Sequence, residues 1–97
     1  MKVSFEIAKI LKEAGYPQKE NQERIMRGLP ECVDIPYYLE VWLWLFKEKN
    51  IIIEPKCIID DNGGYYWVNG WVDCTYYDQE EAIAAAIEYL VENNLIK

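Results

Sequence analysis

YYLEVWLWLFKEKN (37–50), IIIEPKCIID (51–60), DNGG (61–64) and YYWVNGWVDC (65–74) follow one another without interruption. The first piece has the pattern of an apolar helix. The second and fourth are β-branched and aromatic runs separated by Asn-Gly, the strongest short-range sign of a β-hairpin. With Asn62 and Gly63 at the centre of a two-residue turn, Asp61 faces Gly64, Ile59 faces Tyr66 and Cys57 faces Val68. Side chains alternate between faces with period two. One face then carries Ile51, Ile53, Pro55, Cys57, Ile59, Tyr66, Val68, Val72 and Cys74, nearly all apolar, and is expected to meet the core. The other carries Ile52, Glu54, Lys56, Ile58, Asp60, Tyr65, Trp67, Asn69, Trp71 and Asp73. Pro55 has no N–H to give and suits an edge strand or a bulge.

Working outward, the helix of 37–49 begins at Pro36, a residue tolerated at the first helical position. Tyr38, Leu39, Val41, Trp42, Leu43, Leu45 and Phe46 cover an arc wider than one neighbour can bury, so a second element or a second chain is expected against it. Trp44 falls on its polar side, between Glu40 and Glu48. Upstream, Ser4 caps a helix over 4–14, with Ile7, Ile10, Leu11 and Ala14 at helical spacing. Gly15, Tyr16 and Pro17 stop it. Downstream, Asp78 and Glu81 form a capping box for a helix over 79–94. Its buried stripe is Ala82, Ile83, Ala86, Ile87, Leu90 and Val91, and Leu95 and Ile96 fold back beyond its end. Residues 18–35 are polar and broken by Gly28 and Pro30; 18–24 read as loop, a short helical turn is allowed near 21–27, and ECVDI (31–35) could supply a third strand. The expected fold is α+β in a single domain over 1–97. An antiparallel β-hairpin or three-stranded sheet is packed on one face by helices 4–14, 37–49 and 79–94.

Composition limits function. The 97 residues include 52% hydrophobic and 14% aromatic side chains, which favours a folded globule over disorder. Residues 1–49 hold eight basic and eight acidic side chains; residues 50–97 hold two and nine, and so carry the whole formal charge of −7. Such a field repels phosphate backbones, so no direct nucleic-acid binding is expected. The longest unbroken apolar run near the centre is VWLWLF, far short of a membrane span of about 18 residues. No signal-peptide pattern is evident, and the expected location is the cytoplasm. The cysteines, Cys32, Cys57 and Cys74, have no Cys-x-x-Cys spacing and no histidine beside them. They read as small core residues, with a disulfide or a reactive thiol as the alternative, and neither a metal site nor a cofactor is expected. Asp60-Asp61-Asn62-Gly63-Gly64 is a turn, because Tyr65 and Trp71 stand where a calcium loop needs Gly and Glu.

Three surfaces remain as candidates. The outer hairpin face, with Tyr65, Trp67 and Trp71, is a possible partner-binding patch, alternatively covered within the chain or by a second copy. Trp44 is either half-buried by a neighbouring loop or an interface anchor. Glu81, Glu88 and Glu92 form an acidic face: a solvated helix surface, or an imitation of a phosphate backbone. Without histidine, a glycine-rich phosphate loop or an activated Ser or Cys, the chain is not expected to be an enzyme. SFEIAKILKEAGY (4–16), WLFKEKNI (44–51) and YYDQEEAIAAAIEYLVEN (76–93) resemble a group of small uncharacterised proteins carried by phages and mobile elements of gut anaerobic bacteria. The resemblance implies an accessory protein of such an element and transfers no catalytic residue. The expectation is a non-enzymatic protein acting through protein–protein contacts, with a homodimer possible. The alternative is an acidic inhibitor that mimics DNA.

Overall fold

A computed structural model describes residues 1–18 and 35–96. Among these the chain is α+β: helices α1 (Phe5–Glu13), α2 (Tyr38–Glu48) and α3 (Gln79–Glu92), and one antiparallel pair, β1 (Lys56–Ile59) and β2 (Tyr65–Val68). The third strand considered at 31–35, save Ile35, and the helical turn considered near 21–27 lie outside the described residues. One bridge between Trp67 and Tyr76 extends the far side of β2.

Each helix stops and starts where local chemistry directs. Ser4 accepts the Ile7 N–H at 3.2 Å, and Asp78 accepts the Glu81 N–H at 2.8 Å. At the end of α1 the Gly15 N–H reaches Lys12 O and the Tyr16 N–H reaches Leu11 O, with Gly15 left-handed at φ 100°. Asn94 does the same for α3 at φ 58°, sending the Leu95 N–H to Leu90 O. These are Schellman ends, which satisfy carbonyls the helix leaves open. Pro36 is not the first residue of α2; Tyr37 takes the N-cap position. Pro36 is instead fully buried, its carbonyl accepting the Val3 N–H at 3.0 Å where residues 1–3 run beside 36–38.

The core is helical. Ala82, Ile83, Ala86, Ile87, Leu90 and Val91 of α3 are all buried, and α1 and α2 both close on that stripe. Leu11 from α1, Val41 and Leu45 from α2, and Ile96 from the returning tail complete it. Of the isoleucine-rich face expected to pack here, only Ile53 is buried; Ile51, Pro55, Tyr66, Val68 and Val72 are half-buried, and Cys57, Ile59 and Cys74 are exposed.

The hairpin register differs from the expectation by one residue. Cys57 faces Trp67, Ile58 faces Tyr66 and Ile59 faces Tyr65. The cause is Asp60. Its Oδ1 accepts N–H bonds from Asn62 and Gly64, both at 2.9 Å. Its carbonyl accepts from Gly63, and its own N–H donates to Gly64 O at 2.8 Å. Asp61, Asn62 and Gly63 thus form a three-residue loop with Gly63 left-handed at φ 82°, the other common hairpin closure. A one-residue shift puts β2 on the opposite face from the one assigned. One face now holds Cys57, Ile59, Tyr65 and Trp67; the other holds Lys56, Ile58, Tyr66 and Val68. All four residues of β1 are exposed, so neither face is a core face.

Such a short hairpin is not stable alone, and its attachments are specific. Asn69, 1% exposed, donates Nδ2–H to Ala82 O on α3 at 2.8 Å. Its Oδ1 accepts the Trp71 and Val72 N–H groups at 2.8 and 2.9 Å. Two indoles then hold the connection before β1: Trp42 Nε1–H donates to Ile53 O at 3.0 Å and Trp71 Nε1–H to Ile52 O at 2.8 Å. Removing the Asn69 amide strands buried partners. Asn69→Ala is expected to lower the unfolding free energy by about 2 kcal/mol, measured by urea denaturation. The same change should speed amide exchange at Trp67 and Tyr76 far more than within α3.

Candidate functional site

Tyr38, Val41 and Leu45 face the core, but Leu39, Leu43 and Phe46 do not: they are 44%, 56% and 56% exposed. They recur at helical spacing and form an open apolar stripe along α2. The second covering element expected for this helix is absent among the described residues. Beside the stripe, Trp44 is half-buried. Its ring lies edge-on to Tyr16 with centroids 5.1 Å apart, and the Lys49 ammonium stands 5.5 Å from its centre. A shallow recess of about 290 Å³ opens there, lined by Tyr16, Pro17, Leu43 and Trp44 with Glu40 and Lys47 at its rim. The chain just past α1 therefore provides the half-cover anticipated for Trp44.

The four residues proposed for partner binding do not form one patch. Tyr65 and Trp67 share a hairpin face with Cys57 and Ile59, where Ile59 is 74% and Tyr65 67% exposed. Trp67 is half-buried, and its backbone exchanges both hydrogen bonds with Tyr76, at 2.8 and 2.9 Å. Trp71 lies beyond the turn at Asn69–Gly70 and rests against Ile52. Trp44 belongs to the α2 surface. Leu39, Leu43, Phe46 and Ile59 were not singled out from sequence. For the α2 residues the available signal is the arc of apolar positions, too wide for one neighbour; for Ile59 there is none, since its alternation reads as a core face and β1 is exposed on both faces.

Cys57 and Cys74 are exposed free thiols rather than the core residues expected of them; Cys32 is outside the described residues. Cys57 stands on an uncovered strand, and Cys74 on the irregular segment that follows Asn69. Burial, with the Cys74 sulfur close by, raises the Tyr76 hydroxyl above the usual tyrosine range. No cluster of three or more His, Cys, Asp or Glu able to hold a metal occurs among the described residues. None of their helices is long and apolar enough to cross a membrane.

The acidic face is partly committed to structure. Glu81 Oε2 accepts the Tyr77 N–H at 3.2 Å, closing the cap of α3. Glu88 Oε1 accepts the Tyr38 hydroxyl at 2.8 Å and so ties α2 to α3. Glu92 is exposed. No family model matches the chain, and no curated protein or solved structure is significantly similar to it.

Burial, reinforced by the bond to Glu88 and the charge of that carboxylate, pushes the Tyr38 hydroxyl well above its ordinary value. The unfolded chain releases this proton near about pH 10, while the folded chain keeps it. Above that pH the unfolded state binds fewer protons, so this contribution to stability is lost as pH rises. Tyr38→Phe is expected to cost about 1 kcal/mol at neutral pH. It should also flatten the alkaline fall in urea midpoint, compared with the unmodified chain on either side of about pH 10.

Proposed function

We propose that this chain is a non-enzymatic interaction protein that works through protein–protein contacts. The observation that carries the reading is where its uncovered apolar side chains lie. Leu39, Leu43 and Phe46 line one side of α2, and Ile59 and Tyr65 lie side by side on one face of the hairpin. Scattered single exposures are ordinary; contiguous ones mark interfaces. The α2 stripe has the spacing of helix-in-groove anchors, and the Trp44 recess beside it supplies an aromatic rim. The resemblance of 4–16, 44–51 and 76–93 to small uncharacterised proteins of phages and mobile elements implies the setting: an accessory role in a bacterial cytoplasm, and a partner that is either a second copy or another protein of host or element.

The acidic-inhibitor alternative has less support. Two of its three named carboxylates hold bonds within the fold, whereas a phosphate mimic presents its charges to the partner.

A photo-crosslinking residue placed singly at Leu43, Tyr65 and Glu92 separates these readings. Expression in a bacterial cytoplasm is expected to give a discrete crosslinked product from Leu43 or Tyr65 and none from Glu92. A product from Glu92 alone would favour the acidic inhibitor. No product from either apolar position would remove the interaction reading.

A further inference from the structure

Among the described residues the β1 edge of the hairpin is open, and that edge is self-complementary. Asp60 N–H points at Gly64, and the Trp67 backbone points away from β1, toward Tyr76. Antiparallel pairs alternate between bonded and non-bonded rows. The N–H and C=O of Lys56 and Ile58 therefore turn toward β2, and those of Cys57 and Ile59 turn outward. Among the described residues no backbone bond outside the β1–β2 ladder involves the N–H or C=O of Cys57 or Ile59. Pro55 ends this row, since the next outward donor would have been its missing N–H.

An open, apolar edge is a template for strand addition. We propose that a second copy of this chain occupies it, β1 against β1 in antiparallel register about a two-fold axis through Ile58. In that register the Cys57 N–H meets the Ile59 C=O of the second copy, and the Ile59 N–H meets its Cys57 C=O, each twice by symmetry. Ile58 meets Ile58 on the axis. Lys56 stands opposite Asp60 of the second copy, again twice, and neither residue has an ion-pair partner among the described residues. Asp60 holds its own turn through Oδ1, which leaves Oδ2 as the oxygen for the lysine.

Neighbouring symmetric registers lack this match. Centring on Cys57 sets Lys56 against Ile58 and Ile59 against Pro55, which has no donor. Centring on Ile59 sets Asp60 against Ile58. Only the axis at Ile58 pairs opposite charges and uses every outward donor. It also joins Cys57, Ile59, Tyr65 and Trp67 of the two copies into one continuous apolar face, covering the 74%-exposed Ile59. With four residues in β1, the contact is small, so the dimer forms in a concentration-dependent way rather than as an obligate unit.

The inference rests on the interaction-protein reading and narrows it to one partner and one edge. Its test begins from a full-length chain with Cys32, Cys57 and Cys74 replaced by Ser. Ile58→Cys in that background brings two thiols together across the axis, at a Cα separation of about 4.5 Å that a disulfide spans. Mild oxidation is expected to yield a covalent dimer from Ile58→Cys and little from Tyr65→Cys, although position 65 is the more exposed. Ile59→Pro removes an outward N–H that the hairpin does not use; it should abolish that crosslink while far-UV circular dichroism is unchanged. Lys56→Glu, which keeps the strand, should weaken sedimentation-measured self-association roughly tenfold by setting like charges opposite each other, with partial recovery in high salt. Equal crosslinking from positions 58 and 65 would overturn the edge model, as would self-association indifferent to both Ile59→Pro and Lys56→Glu. A dimer that survives those changes, or a foreign protein crosslinked at Leu43, would leave the broader reading standing.

Discussion

Ile83, Ile87 and Leu90 on α3 are completely buried, and the rest of the molecule is arranged by the need to cover them. Burying each such side chain favours folding by about 1.5–3 kcal/mol. No other stripe in the described chain comes near that concentration of buried aliphatic surface. α1 and α2 close on it from their own apolar sides, and Ile53 and Ile96 fill its margins. Because the helices satisfy one another, the core has no need of the hairpin. The strands are free to project.

Freedom to project does not mean freedom to move. Asn69 is the buried polar side chain that converts a loose hairpin into a positioned one, through its bonds to Ala82 O, Trp71 N–H and Val72 N–H. Trp42 and Trp71 act similarly on the connection before β1, giving indole donors to carbonyls that no strand pairs. Backbone groups of an extended segment need partners from somewhere; here side chains provide them. A rigidly held edge loses less conformational entropy on pairing than a loose one would.

The described residues thus carry two uncovered apolar surfaces of different kinds. On α2 the exposed groups are side chains in a helical row beside an aromatic recess. On β1 they are backbone donors and acceptors flanked by isoleucines. The first suits a groove or a helix; the second suits another strand. The negative charge of the chain is concentrated in residues 50–97 and acts against nonspecific association. Lys56 is the exception within the strand, and its placement selects a register.

The helices were legible in the sequence because their signals are local. Ser4, Gly15, Asp78 and the stripe from Ala82 to Val91 act within one or two turns of backbone, and each sits where its chemistry required. The hairpin's existence was equally plain, and Pro55 beside an edge strand agreed with its missing donor. Its register was not legible. Asp60 decided between a two-residue and a three-residue loop by folding its carboxylate over Asn62 and Gly64, and both closures are open to Asn-Gly. That choice moved β2 to the other face. Which surfaces stayed open was likewise settled in three dimensions. Cys57 and Leu43 look like core residues in any window of sequence, yet burial depends on how many neighbours arrive. Sequence alone determined which residues could form elements and which sides of them repel water. The tertiary structure decided which of those sides were used, because α3 offered room for only part of the apolar surface the chain carries.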